Sequence, residues 1–107
     1  MVGKSRKRPN EIVDPWPDGP TDDVAGRAAQ AFARELRRAV ADYSVRSTAE
    51  LCGVNHETIR GILDGRVWPD MRTIALLEAG LGLPLWPRRT PTYSTRHRGR
   101  PVKPFDL

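Results

Sequence analysis

The chain has 107 residues, of which 38% are hydrophobic and 7% aromatic, and its formal net charge at pH 7 is +5. This length leaves room for one small hydrophobic core and excludes a second domain. The sequence contains neither the apolar run of a signal peptide nor one long enough to cross a membrane, so we expect a cytoplasmic protein without membrane contact. Its one cysteine, Cys52, excludes an intramolecular disulfide and a thiolate zinc site.

Prolines and charges divide the chain into three predicted segments. Residues 1–20 are expected to form a flexible, basic and proline-rich arm, residues 21–86 a helical domain, and residues 87–107 a basic, proline-rich tail. Docking of Trp16 from the arm onto the domain is left open. The domain carries eight Arg and nine acidic residues, whereas the tail carries six Lys or Arg and only Asp106 as an acid. A near-neutral body with cationic extensions is typical of a protein that binds a polyanion.

Residues 21–86 show the helical spacing of apolar side chains and no strand-like alternation. We therefore predict an all-α fold, a compact domain of four to five helices. Thr21 is the predicted N-cap of a first helix of roughly twenty residues. The apolar positions of this helix are Val24, Ala28, Ala31, Phe32, Leu36, Ala39, Val40 and Tyr43. They predict one buried stripe, with the arginines of the same helix near solvent or a partner.

Three further helices are predicted, each preceded by a capping residue. Ser44 is expected to cap a second helix that ends at Leu51 or Cys52, and Asn55 a third helix over residues 55–64. Asp70 is expected to cap a fourth helix. The side chains expected to return to the core from this helix and the segment after it are Ile74, Leu77, Leu81, Leu83, Leu85 and Trp86.

The second and third predicted helices have the spacing of a DNA-reading helix-turn-helix. Ala49 is small enough to let two helices cross closely, and Gly53 can adopt the positive φ that a tight turn needs. Val54, Ile59 and Ile62 supply the buried side of the second of these helices. A helical hairpin that only packs a core or binds protein is the alternative, and the Asn cap and the following Arg-bearing loop favour DNA.

Over residues 32–86 the chain resembles the lambda-repressor-like (Cro/C1-type, XRE) helix-turn-helix family of bacterial and phage transcription regulators. The resemblance is carried by TAELCGVNHETIRGIL, DGRVWPD and RTIALLEAGLG. It implies a helix that reads the major groove and, in many members, a dimer formed by the last helix or an added domain. Val45 and Thr48 stand where this family often has a glutamine and a leucine. Arg46 or Ser47 would then replace the phosphate contact of that glutamine.

The residues expected to face the major groove are Asn55, His56, Glu57, Arg60 and Gly61. Arg60 can donate to guanine, His56 to a base or a phosphate, and Gly61 would let the helix approach closely. Glu57 can accept from a cytosine amine, but its place in the first helical turn favours a role in balancing the helix dipole.

The residues expected to contact phosphates are Arg46, Ser47, Thr58, Arg66 and Arg72. Arg66 and Arg72 flank the loop that runs beside the DNA backbone in this architecture. A solvated surface charge is an equal alternative for Arg72.

The tail contains Arg-Gly-Arg-Pro within RHRGRPVK, residues 96–103, and this core is similar to an AT-hook. Two arginines that extend from a glycine hinge can lie in a narrow A·T minor groove, where a guanine amino group would obstruct them. The residues expected there are Arg96, Arg98 and Arg100. A merely basic tail that adds nonspecific affinity explains the same residues equally well.

The sequence does not indicate catalytic chemistry. His56 and His97 are its only histidines, and Cys52 has no recognisable base partner. Because the chain also lacks a metal-like carboxylate cluster and a glycine-rich phosphate loop, we expect no enzyme activity, no metal and no cofactor. Cys52 is interpreted as a small buried side chain, and Trp68 and Trp86 as packing residues.

The sequence thus predicts a cytoplasmic, nucleoid-associated transcription regulator whose partner is double-stranded DNA. A homodimer and a protein partner bound through the tails are left open. One alternative is an accessory or antitoxin-like protein-interaction module. Another is an architectural or recombination factor in which the A·T-preferring tail dominates.

Overall fold

The computed structural model describes residues 7–87, and over this range the chain forms helices, turns and loops without a strand. The helices are α1 (Pro9–Ile12), α2 (Val24–Tyr43), α3 (Val45–Cys52), α4 (His56–Leu63) and α5 (Met71–Leu81). The predicted all-α class is confirmed for these residues, and α1 is a short helix that the sequence pattern does not indicate. Not one of the described helices has the length and apolar character needed to span a bilayer.

The long helix α2 begins at a different cap from the predicted one. Asp23, not Thr21, is its N-cap, because the Asp23 carboxylate accepts the N–H of Gly26 at 2.7 Å. The Thr21 hydroxyl instead accepts the N–H of Asp23 at 3.1 Å and so orders the approach to the helix. The helix then runs for 20 residues, as predicted, and Ser44 ends it.

α3 lies at the centre of the fold and packs against α2, α4 and α5. Its buried side chains are the small residues Thr48, Ala49 and Cys52, which let three neighbouring helices approach it. The core that these helices enclose consists of Phe32, Ala33, Leu36, Ala49, Cys52, Ile59, Ile62, Leu77 and Leu85. The rings of Phe32 and Trp86 pack in a tilted arrangement with centroids 5.8 Å apart.

Three side chains that were predicted to be buried are exposed. Val24 and Tyr43 are the first and last residues of α2, and each is 53% exposed. Leu83 follows the C-cap of α5 and is 45% exposed, whereas Leu85 is 2% exposed. Apolar spacing indicates which face of a helix is buried, but it does not indicate how far along that face the neighbouring helices reach.

The N-terminal segment, residues 7–20, is packed against the other helices and does not extend from them as the predicted arm would, and the docking of Trp16 that the sequence left open is found. The Trp16 indole N–H donates to the carbonyl of Leu63 at 2.9 Å. The Asn10 side-chain amide donates to the carbonyl of Asp64 at 3.1 Å. The last carbonyls of a helix have no partner within the helix. The N-terminal segment therefore supplies hydrogen-bond donors to the carbonyls at the C-terminal end of α4.

The proline-rich end of this segment is held on α2. The buried Gln30 amide donates to the carbonyls of Pro17 at 2.7 Å and Gly19 at 3.0 Å. Asp18 accepts hydrogen bonds from arginines of α2, and the bond from Arg37 is the main cause that lowers the pKa of its carboxyl group. Because prolines lack an N–H, such a stretch is tied down largely through its carbonyls and side chains.

α3 and α5 approach closely where Gly80 meets Cys52. A Cβ atom on Gly80 would lie 2.6 Å from Cys52 Sγ and 2.8 Å from Cys52 Cα. Cys52 is buried, as predicted, and this burial raises the pKa of its thiol. Glycine at position 80 therefore permits the helix contact on which the core depends.

We expect Gly80→Ala to destabilise the protein, although alanine is favoured over glycine in a helix by about 1 kcal/mol. The overlap with Cys52 opposes that gain, and overpacking of a core typically costs about 1–3 kcal/mol. We expect a net loss of up to about 2 kcal/mol, measured by urea denaturation. Ala79→Gly, on the exposed neighbouring residue, controls for helix propensity. A more stable Gly80→Ala variant would contradict the close packing of α3 on α5.

Candidate nucleic-acid interface

Three local features fix how α4 follows α3. The Ser44 hydroxyl caps α3 by accepting the N–H of Ser47 at 3.0 Å. Gly53 ends α3 in the left-handed conformation, with φ 71°, which favours glycine. The Asn55 side chain caps α4 by accepting the N–H of Glu57 at 2.7 Å. These roles of Ser44, Gly53 and Asn55 were predicted and are confirmed.

α4 has one buried face and one exposed face. Ile59 and Ile62 are 0% and 1% exposed and anchor the helix to the core. His56, Glu57 and Arg60 lie on the other side: the side chains of His56 and Glu57 are 40% and 66% exposed, and Arg60 is exposed as well. His56 Nε2 lies 3.7 Å from Glu57 Oε2. The outward position of these three side chains agrees with the prediction, whereas their role in binding stays a prediction.

Gly61 does not belong to this exposed face, and its predicted place there is wrong. The residue is buried, and a Cβ atom on it would lie 3.0 Å from a methyl group of Val67. Its carbonyl accepts the N–H of Arg66 at 2.8 Å, so the loop after α4 folds back over it. The absence of a side chain at Gly61 accommodates this loop rather than a ligand.

The N-terminal ends of α4 and α5 meet in an open groove. Residues of the α4 start and of the loop before α5 line it together: Asn55, Glu57, Thr58, Val67, Trp68 and Asp70. The half-buried Thr58 thus faces the groove beside the predicted contact surface. Asp70 caps α5, and the backbone hydrogen bond from Thr73 is the main cause that lowers the pKa of its carboxyl group. The groove therefore combines two helix N-termini with the carboxylates of Glu57 and Asp70.

The cations of the described chain fall into two groups that composition cannot separate. Five arginines form ion pairs with carboxylates, with N–O distances of 2.6–3.6 Å: Arg27, Arg34, Arg37, Arg38 and Arg66. Among residues 7–87, the exposed cations without such a partner are Lys7, Arg8, Arg46, Arg60 and Arg72. Four of the five paired arginines lie on α2. The unpaired ones lie at the starts of α3 and α5, on the exposed face of α4 and at the N-terminal segment.

The charge of the described part of the chain is close to balanced. Residues 7–87 contain ten Lys and Arg and twelve Asp and Glu. On the predicted contact surface, Glu57 opposes Arg46 and Arg60, and all three are exposed. The exposed Glu50 adds a further acid on α3. Arg66 is joined to Asp64 at 3.2 Å. Long-range attraction to a polyanion must therefore come mainly from the terminal extensions.

The remaining predicted contacts lie partly outside the described residues. Arg46, Ser47 and Arg72 are exposed at helix starts. Arg96, Arg98 and Arg100 of the tail lie outside the described residues. Between residues 7 and 87, no three His, Cys, Asp or Glu side chains group as a metal site requires.

No protein-family model matches the chain, and no curated protein matches it either. Its function is therefore inferred from the chemistry and geometry of the site.

We expect Asn55→Ala to lower the free energy of unfolding by about 1 kcal/mol, because it removes the acceptor for the first turn of α4. Asn55→Asp is the matched control, since it keeps an acceptor and places a negative charge at the helix N-terminus. Its stability should equal or slightly exceed that of the parent protein. Urea denaturation measures both variants, and equal losses would show that this side chain does not cap α4.

Proposed function

We propose that the protein is a sequence-specific, double-stranded DNA-binding transcription regulator of the lambda-repressor-like type, which reads the major groove with α4. One observation carries this proposal: α4 is capped at Asn55 and anchored by Ile59 and Ile62, while His56, Glu57 and Arg60 project from its free face. A helix of this kind fits the major groove, where each base pair presents its own pattern of donors and acceptors.

Arg60 is the side chain best suited to base recognition. It is exposed and forms no ion pair among the described residues, so no internal bond has to break before its guanidinium binds a base. A guanidinium can donate two hydrogen bonds to O6 and N7 of guanine. His56 can donate to a base or a phosphate. Glu57 can accept from a cytosine amine, or balance the dipole of α4.

Phosphate contacts would hold α4 in register. Arg46 and Ser47 at the start of α3 and Arg72 at the start of α5 lie where helix N-termini add their own partial positive charge. Arg66 is paired with Asp64, and this carboxylate opposes the binding of a phosphate by the same guanidinium. Such contacts position a protein on DNA without reading its sequence.

The charge balance favours a second candidate, an architectural factor with a preference for A·T-rich DNA. Residues 7–87 hold more acidic than basic side chains, so the net positive charge of the chain lies in residues 88–107 and 1–6. If Arg98 and Arg100 supply most of the binding, A·T content rather than a defined motif would govern affinity.

Selection of bound duplexes from a random pool separates these two candidates. Recovery of a defined motif, and tighter binding to it than to a scrambled duplex, would support the regulator. Recovery of A·T-rich duplexes without a motif would support the architectural factor. Recovery of no enriched duplex at physiological salt would contradict both.

We expect Arg60→Ala to relax base preference at one position of the selected motif, with a loss of discrimination of about 5- to 100-fold. The cause is the loss of a donor pair at one base. Fluorescence anisotropy on duplexes that vary at each motif position measures this effect. Arg38→Ala is the control, because it removes the same charge from α2, where Arg38 is joined to Glu35 at 2.6 Å. Equal discrimination by the parent and Arg60→Ala would contradict base recognition by this residue.

We expect joint Arg98→Ala and Arg100→Ala to weaken binding to every duplex and to lower the slope of log K against log salt by about 2. The tail itself offers a control, joint Arg88→Ala and Arg89→Ala, which removes the same charge outside Arg-Gly-Arg-Pro. A loss confined to A·T-rich duplexes, and to the first double variant, indicates a hook in the minor groove. If the first double variant binds like the parent at every salt concentration, the tail does not contact DNA.

A further inference from the structure

The N-terminal segment is joined to the loop that follows α4 by three hydrogen bonds. The Trp68 indole N–H donates to the carbonyl of Lys7 at 2.8 Å. The backbone N–H of Asn10 donates to the carbonyl of Gly65 at 3.0 Å, and its side-chain amide donates to the carbonyl of Asp64. This part of the N-terminal segment therefore lies along the loop between α4 and α5.

Lys7 and Arg8 are fixed through their backbones, which leaves their charged groups available. Lys7 contributes its carbonyl to Trp68, and Arg8 contributes its N–H to the carboxylate of Glu11 at 2.7 Å. Both residues are exposed, and neither side chain has an ion-pair partner within residues 7–87. In the sequence, residues 1–8 contain four Lys or Arg and no acid. Of these cations, Lys7 and Arg8 are described by the structure, and they meet the fold at one defined place.

Trp68 connects that place with the start of α4. Trp68, which holds Lys7, also lines the groove together with Asn55 and Glu57 at the start of α4. A helix with its side chains is about 10–12 Å across, and the major groove is about 12 Å wide. Elements that flank a helix lying in this groove therefore meet the phosphates on its rim.

From these contacts we propose that Lys7 and Arg8 form a phosphate-binding edge for duplex DNA, held against the loop after α4 by the Trp68 indole. This inference rests on the proposed function and extends it, because it assigns a DNA contact to residues outside the helix pair and the tail. The edge adds affinity without base preference, since a phosphate carries no sequence information.

The test removes both charges and leaves the backbone bonds in place. Joint Lys7→Ala and Arg8→Ala should lower the slope of log K against log salt by about 2 for the selected duplex, with unchanged preference among its base variants. Arg38→Glu is the control, because it changes the net charge by the same two units on an exposed position of α2. Anisotropy titrations from 50 to about 300 mM salt give both quantities. A slope equal to that of the control variant would overturn the proposal.

A double-mutant cycle tests the role of Trp68. Trp68→Phe keeps an aromatic ring but removes the N–H that holds Lys7, so binding should weaken by about 2- to 10-fold. The same substitution in the Lys7→Ala, Arg8→Ala background should have little effect, because no charge is left to position. An equal loss in both backgrounds would show that Trp68 acts independently of the edge and would overturn its positioning role.

The failure of this inference can be told apart from the failure of the proposed function. If the parent selects a motif and Arg60→Ala relaxes it, but the Lys7 and Arg8 variant behaves like Arg38→Glu, only the edge is wrong. If the parent selects no motif, the proposed function is wrong, and the edge has no reading helix to flank. A reduced salt slope of the Lys7 and Arg8 variant, together with a motif selected by the parent, supports both the edge and the proposed function.

Discussion

The burial of Ile59 and Ile62 is the constraint on which the exposed surface depends. Each side chain is at most 1% exposed. Burying a side chain of this size stabilises a protein by about 1.5–3 kcal/mol, so a rotation of α4 that exposed both would cost about 3–6 kcal/mol. Because successive residues of a helix are set about 100° apart, this anchoring also determines where His56, Glu57 and Arg60 point. The packing of Ile59 and Ile62 in the core thus determines which side chains of α4 are exposed on its free face.

The features that could be predicted from the sequence are those that depend on a few neighbouring residues. The caps at Ser44, Asn55 and Asp70 and the positive φ at Gly53 each involve residues within one helical turn, and each is found where its local pattern indicates. Helical spacing likewise indicated the buried side of α4. These signals are local because a capping bond spans only two or three residues.

The features that could not be predicted depend on how segments of the chain fold against one another. The bond from Trp16 to Leu63 joins residues 47 positions apart; docking of Trp16 could be anticipated, but the composition of a proline-rich stretch does not indicate which carbonyl it contacts. Gly61 was misplaced for a related reason, since its burial depends on the loop residue Val67 folding back across α4. Likewise, a count of arginines gives no means of knowing that those on α2 are paired with acids. Which cations are free is a property of the fold.

The length of α4 has a consequence for how much information one copy of the protein could read. Eight residues form a helix about 12 Å long, which on the proposed function runs past only three or four base pairs at about 3.4 Å each. Four base pairs recur by chance at roughly every 250 positions of a genome, so a single copy would find far too many matching sites. To recognise a unique DNA site, the protein would then need further discrimination. A second copy on an adjoining half-site could supply it, and so could the shape of the surrounding DNA.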